Sequence, residues 1–136
     1  FPRDIEIVTG GLIRNKEGKF LLTKSPKWSD KWVVPGGHID PGETILEGTR
    51  RELEEETGLK VKPLHTFYFG ELINSPEFHR PAHFVFFTSL FETDSGSVTL
   101  DERELSDYHW VTLDEALAMN LCSPTRSAIL KYKTLL

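Results

Sequence analysis

The sequence predicts an α/β protein, a mixed β-sheet with helices packed on its faces. Three observations carry this reading. Segments of strand length and β-rich composition outnumber helical ones. Those segments do not alternate strictly with helices, so an all-parallel sheet is not expected. One helix in the first half carries capping signals at both ends. A length of 136 residues, 38% hydrophobic and 27% charged, is that of one soluble globular domain with one core, taken here as residues 1–136.

The elements follow in order. Ile5 to Ile13 is β-rich and runs into the turn Asn15-Lys16-Glu17-Gly18, with Phe20-Leu21-Leu22-Thr23 as the second arm of a hairpin. Ser25 to Lys31 reads as a loop. Trp32-Val33-Val34 is a short strand stopped by the turn Pro35-Gly36-Gly37, and Ile39-Asp40-Pro41-Gly42 is a second turn. Thr44-Ile45-Leu46-Glu47 has capping-box spacing and Gly58 is placed for a left-handed C-cap, which bounds a helix from about Ile45 to Thr57. Val61 to Ile73 and Ala82 to Glu92 are strands separated by the polar loop Asn74 to Pro81. Tyr108 to Val111 is a last strand. Thr112-Leu113-Asp114-Glu115 opens a short helix with a second capping-box pattern. Ser123 to Leu135 is the final helix, with Pro124 in its first turn.

Charge and composition narrow the function. The net charge is −5 and no long basic run exists, so an extended nucleic-acid surface is not expected. A single cysteine, Cys122, forms no intrachain disulfide and fits a reducing, cytoplasmic setting. No apolar run approaches the ~20 residues of a membrane span, and no signal-peptide pattern is present. The apolar stretches Phe84 to Phe87 and Ala128 to Leu130 suit a core or a homodimer interface.

The helix poses the chemical question. Six glutamates fall between Glu43 and Glu56, against two arginines. On a helical wheel, Glu55 and Glu56 lie about 60° and 40° to either side of Glu52. These three carboxylates share one arc, and Gly48 leaves room beside them. Leu46, Thr49 and Leu53 form an adjacent packing stripe. Glu47 and Arg51 have the favourable i,i+4 order, and Arg50 and Glu54 the reverse one. Three clustered carboxylates raise one another's pKa and destabilise a helix. A solvated acidic face is one explanation. A hard divalent cation, Mg²⁺ or Mn²⁺, is the other.

The spacing favours the cation. Gly37, Glu43, Arg51-Glu52-Leu53, Glu55-Glu56 and Gly58-Leu59 fix nine positions over a short span, and their pattern resembles the signature of the Nudix hydrolases, MutT among them. Trp32 to Gly37 resembles the family's opening strand and turn. Tyr108 to Glu115 resembles its closing strand and short helix. The resemblance implies an α/β/α sandwich with a mixed β-sheet and the signature as loop-helix-loop. It implies hydrolysis of a nucleoside diphosphate linked to another moiety, with Mg²⁺ or Mn²⁺ assisting attack of water on phosphorus.

Carried onto this sequence, the resemblance implies metal ligation by Glu52, Glu55 and Glu56 with the Gly37 carbonyl. Glu43 is expected to hold Arg51, and both, with Gly58, to support the helix. Leu53 is expected to pack beneath it. The proton acceptor for the attacking water is Glu52, Glu55 or an acid on a later loop. Glu104, six residues before Trp110, is the candidate there, with Glu102 as its rival. Lys24, Phe78 and Arg80 are candidate substrate contacts, each also readable as an ordinary surface residue, and His79 joins them in the same loop. Trp28 and Trp32 read as packing residues.

The signature leaves the substrate open. Small size and a compact loop favour a nucleoside triphosphate cleaved to monophosphate and pyrophosphate. ADP-ribose or a nucleotide sugar is the alternative, with Pro76 near a proline of ADP-ribose hydrolases. The stretch Asn120 to Thr125 departs from the region with which MutT recognises oxidised purines. A non-catalytic nucleotide-binding regulator is an alternative of another class, although such domains usually lose the acids that this chain retains.

Overall fold

Strand pairing in the computed structural model, described here for residues 4–136, follows the distribution of apolar side chains. The strands are β1 (Ile5–Arg14), β2 (Phe20–Ser25), β3 (Lys31–Val33), β4 (Gly36–His38), β5 (Lys62–Ile73), β6 (His83–Glu92) and β7 (Asp107–Val111). The helices are α1 (Ile45–Thr57), α2 (Leu113–Leu117) and α3 (Ser123–Lys133). All seven strands belong to one sheet in the order β3-β2-β1-β6-β5, with β4 alongside β1 and β7 alongside β2. β1 and β6 run parallel and the other pairs are antiparallel, so the sheet is mixed as expected.

Adjacent apolar residues explain the layers. Successive strand side chains point to opposite faces. The pairs Leu12/Ile13, Leu21/Leu22 and Leu90/Phe91 therefore feed two cores. Ile13, Leu21 and Phe91 pack with Leu53 and Leu59 under α1. Leu12, Leu22 and Leu90 pack with Val111, Ile129 and Tyr132 on the face that carries α2 and α3. Every one of these residues is less than one-tenth exposed. The result is an α/β/α sandwich.

Local signals set the helix ends. Thr44 Oγ1 accepts the Glu47 amide at 3.1 Å, and Gly58 closes α1 at φ 71° with its N–H on the Glu54 carbonyl. Among the described residues only α2 has both halves of a capping box, between Thr112 and Glu115, and in α1 the expected return contact from the Glu47 side chain is not made. Cys122 is buried at the start of α3, its thiol 3.3 Å from Thr125 Oγ1. Of the two apolar stretches, Phe84, Phe86, Ala128 and Ile129 are buried in the fold, whereas Leu130 is half exposed.

Two expectations are corrected. Gly36-Gly37 is not a turn but part of β4, paired antiparallel to Val8–Gly10 of β1. The glycines permit it, because a Cβ on Gly36 would lie 1.9 Å from the Thr9 carbonyl oxygen. The stretch from Ser25 to Lys31 is also not all loop. Ser25 ends β2, Pro26–Trp28 forms a 3₁₀ turn and Lys31 begins β3.

Candidate active site

The glycines of β4 and the helix α1 are brought together by β1. Gly11 lets the strand approach, since a Cβ there would be 2.3 Å from Leu53 Cδ1. Thr9 and Thr49 are hydrogen-bonded through their hydroxyls across the same contact. This fixes the arc of Glu52, Glu55 and Glu56 against β4. All three line a cavity of about 680 Å³ together with Gly37.

The three carboxylates differ in environment. Glu55 is the most exposed, with 57% of its side chain accessible. Glu52 is half-buried, and burial raises its pKa against the opposing pull of Arg51. Glu56 is only 6% exposed, and its Oε2 has no hydrogen-bond partner. Burial, then the charges of Glu52 and Glu104, push Glu56 up to about 8, while a hydrogen bond from the Gly36 backbone works the other way. An orphaned buried carboxylate oxygen is costly unless something satisfies it.

That oxygen tests whether the residues fit a metal. A hard divalent cation suits it, with the Glu52 carboxylate and the Gly37 backbone close by. A Cβ on Gly37 would fall 2.5 Å from Glu52 Oε2, so that carboxylate sits directly over the glycine. Among the described residues no three acidic, histidine or cysteine side chains are yet drawn into a closed cage. Arg51 accounts for this. Its Nη1 lies 3.1 Å from Glu52 Oε1 and 3.4 Å from Glu55 Oε2, and holds both toward itself. The donor set fits a divalent ion, with rotation of Glu52 and Glu55 away from Arg51.

Arg51 is itself held by Glu43. Its Nε donates to Glu43 Oε2 at 2.6 Å and its Nη2 to Oε1 at 2.9 Å. This pair holds Glu43 down to about 2. Arg51 also donates to the His38 carbonyl at 3.1 Å. The expected Glu47–Arg51 pair is thus corrected. The bidentate Glu43 outcompetes a single i,i+4 contact. Arg50 and Glu54 do pair, at 3.3 Å.

The later loop offers Glu104, not Glu102. Glu104 lines the cavity and Glu102 is exposed outside it. Glu104 is ion-paired with Lys27 at 2.7 Å. Asp101 also lines the cavity, bound to Arg103 at 3.1 Å.

The candidate substrate contacts fare less well. Lys24 lies off the cavity, because Ser25 and Val33 line it and strand alternation turns Lys24 and its partner Trp32 to the other face. Lys27, three residues on, lines the cavity instead. Phe78 lines the cavity but is packed by Trp28 at 4.7 Å, His79 at 4.6 Å and Phe84 at 4.9 Å, with Arg80 over its ring at 5.2 Å. It is a brace of the wall rather than a free platform. Arg80 donates two 2.8 Å hydrogen bonds to Glu6, which also bonds His38 Nε2 at 2.8 Å. Its charge is therefore already matched. Trp32 is half-buried beside His109 and lies off the cavity, whereas Trp28 packs on Phe78 and Phe84 and also lines the cavity.

Sequence reasoning missed Lys27, Asp101 and the Glu6–Arg80 bond. Lys27 had a local signal in Pro26, which favours a turn that breaks the strand alternation. Glu6 and Arg80 lie 74 residues apart and had none.

A family model for the NUDIX domain matches residues 5–132. The chain belongs to the Nudix hydrolase family. It is similar to the phosphatase NudJ of Escherichia coli K12, 32% identical over 122 residues, covering 86% of this chain and 76% of that protein. A 72-residue stretch is 36% identical to the m7GpppN-mRNA hydrolase NUDT17 of Xenopus laevis, covering 50% of this chain and 24% of that longer protein. The crystal structure of a MutT protein from Methanosarcina mazei Go1 superposes with a TM-score of 0.77 at 28% identity, covering 98% of this chain and 96% of that one. The Nudix fold is thus the α/β/α sandwich described above. No helix among the described residues is long and apolar enough to cross a membrane.

Proposed function

We propose that this Nudix hydrolase is a metal-dependent pyrophosphohydrolase. It cleaves a nucleoside diphosphate linked to another moiety, and its preferred substrate is a nucleoside triphosphate, released as monophosphate and pyrophosphate. The observation that carries the reading is Glu56, buried with an orphaned oxygen and flanked by Glu52 in a cavity of nucleotide-binding size. Relatives named as a phosphatase and as an m7GpppN-mRNA hydrolase support chemistry at phosphorus.

Glu52, Glu55, Glu56 and the Gly37 carbonyl would hold Mg²⁺ or Mn²⁺. Such an ion supplies charge neutralisation on the phosphate oxygens and a more acidic water. The chain's own residues do the rest. The signature acids and the wall braced by Phe78 orient the substrate. Glu104, or Glu52 or Glu55, takes the proton of the attacking water as its oxygen bonds to phosphorus and the bridging P–O bond breaks. Glu43 and Arg51 hold the helix in register.

The test is release of phosphate and pyrophosphate with Mg²⁺ across nucleoside triphosphates, ADP-ribose, NADH and diadenosine polyphosphates, with Glu55→Gln as control. Turnover of triphosphates, lost in the variant, supports the reading. Turnover of ADP-ribose or another derivative alone moves the substrate class. Metal binding without any turnover points to a regulatory nucleotide-binding role.

A further inference from the structure

One lysine and two arginines, Lys27, Arg80 and Arg103, line the cavity among the described residues. Each is matched by an acid, yet the three matches are not equivalent. Arg80 makes two 2.8 Å bonds to Glu6, whose side chain is only 18% exposed. Removing Arg80 would strand a largely buried carboxylate, which is strongly unfavourable. Arg103 is tied to Asp101 by Nε and Nη2 at 3.1 and 3.2 Å, while 88% of its side chain faces solvent. Asp101 is only 20% exposed, so the same cost applies there.

Lys27 is different. It makes one contact, Nζ to Glu104 Oε2 at 2.7 Å, and both side chains are exposed, 47% and 40%. Glu104 can be released to water at little cost, because an exposed pair of this kind is only weakly stabilising. The stem of Lys27 is flexible, but its root is not. The Lys27 carbonyl accepts the His79 amide at 2.9 Å, and the Ser29 hydroxyl donates to the Glu77 carbonyl at 2.7 Å. The 3₁₀ turn is thereby bound to the wall loop. The Ser106 amide on the Lys24 carbonyl, at 3.0 Å, keeps the Glu104 loop against the end of β2.

We propose that Lys27 is the phosphate-binding cation of this site and that Glu104 is its resting partner, exchanged for a substrate phosphate on binding. This rests on the pyrophosphohydrolase reading. It assigns a role to a residue outside the signature helix, and it gives Glu104 two states. Without substrate its carboxylate is neutralised by Lys27. With Lys27 turned to phosphate, the carboxylate is free in the cavity that holds Glu56. Glu104 thus becomes available as a proton acceptor only when a phosphate is present to take its lysine.

The experiment measures binding of inorganic pyrophosphate with Mg²⁺ by calorimetry, beside steady-state kinetics on a nucleoside triphosphate. The proteins are the wild type, Lys27→Met, Lys27→Arg and Glu104→Gln. Lys27→Met should weaken pyrophosphate binding about tenfold and raise KM similarly, with an unchanged melting temperature. Lys27→Arg should recover most of the affinity. Glu104→Gln should bind pyrophosphate more tightly than wild type while its kcat falls, because the competitor for Lys27 is gone. A merely structural Glu104 would not produce that opposition. Equal binding by wild type and Lys27→Met, or no tightening in Glu104→Gln, overturns the exchange and leaves the parent reading standing. No pyrophosphate binding by wild type with metal present overturns both.

Discussion

Arg51 reaches back eight residues to Glu43 and binds both its carboxylate oxygens, at 2.6 and 2.9 Å, while its other nitrogen faces Glu52 and Glu55. One guanidinium thus ties the loop before α1 to two of the three candidate ligands. Glu43→Gln should weaken this fork and let Arg51 settle more firmly on Glu52 and Glu55, in competition with metal. Mg²⁺ affinity is expected to fall about tenfold, the usual scale for loss of an outer partner. Calorimetric metal titration of the variant against wild type checks this, and equal affinities would mean that Arg51 does not govern the ligands.

Glu56 gives the metal-free protein a pH dependence of definite sign. Its pKa is raised to about 8, so between its ordinary value near 4.5 and 8 the folded state binds more protons than the unfolded one. Stability in chelator must therefore fall as pH rises through that window. Millimolar Mg²⁺ should raise the melting temperature by mass action, most at the alkaline end. Glu56→Gln should flatten the slope and blunt the metal response together. Thermal melts at pH 5 and 8, with chelator and with Mg²⁺, read all four quantities. A flat wild-type profile in chelator would contradict the burial argument.

Glu6 has the opposite sign. The Arg80 hydrogen bonds hold it down to about 2, with His38 assisting. Its contribution is present above about 4.5 and is lost as pH falls toward 2. Glu6→Gln should remove that part of the acid sensitivity. It also loosens Arg80, which lies over the Phe78 ring, so the wall of the cavity softens. We expect KM to rise more than kcat falls. Urea melts at pH 3 and 7 and a kinetic comparison decide this. A loss confined to kcat would place Glu6 with the chemistry instead.

How much of this was legible in the sequence depended on how local the signal was. Thr44 and Gly58 bound α1 within their own turns, and the i, i+3, i+4 spacing of Glu52, Glu55 and Glu56 put them on one face without any tertiary information. Long-range competition was not legible. Helix spacing alone offered Glu47 as the partner of Arg51, and only the resemblance of the whole signature pointed to Glu43, which does hold it; nothing near Arg80 pointed to Glu6 on β1. Lys24 was misplaced because the cavity follows the turn at Pro26, where strand alternation ends. Gly36-Gly37 read as a turn because glycine pairs usually break strands. Here their missing side chains allow a strand to lie against the Thr9 backbone.

The two glycines of β4 should therefore fail in different ways when substituted. On Gly36 a Cβ would meet the Thr9 carbonyl oxygen at 1.9 Å and Gly10 Cα at 2.7 Å, both backbone atoms that cannot move without breaking the β1–β4 pairing. Gly36→Ala should destabilise the fold by about 3 kcal/mol or more, at the upper end of overpacking costs. On Gly37 the nearest atoms are the Glu52 carboxylate, Oε2 at 2.5 Å, the far end of a side chain that can rotate. Gly37→Ala should fold with nearly wild-type stability, because the carboxylate yields instead of the backbone. Its activity should fall about 10²-fold, the scale expected when a reacting group is displaced by about 1 Å. Urea denaturation and kcat/KM on the same two proteins separate the cases. If Gly37→Ala retained full activity, the close approach of Glu52 to Gly37 would not matter to the chemistry.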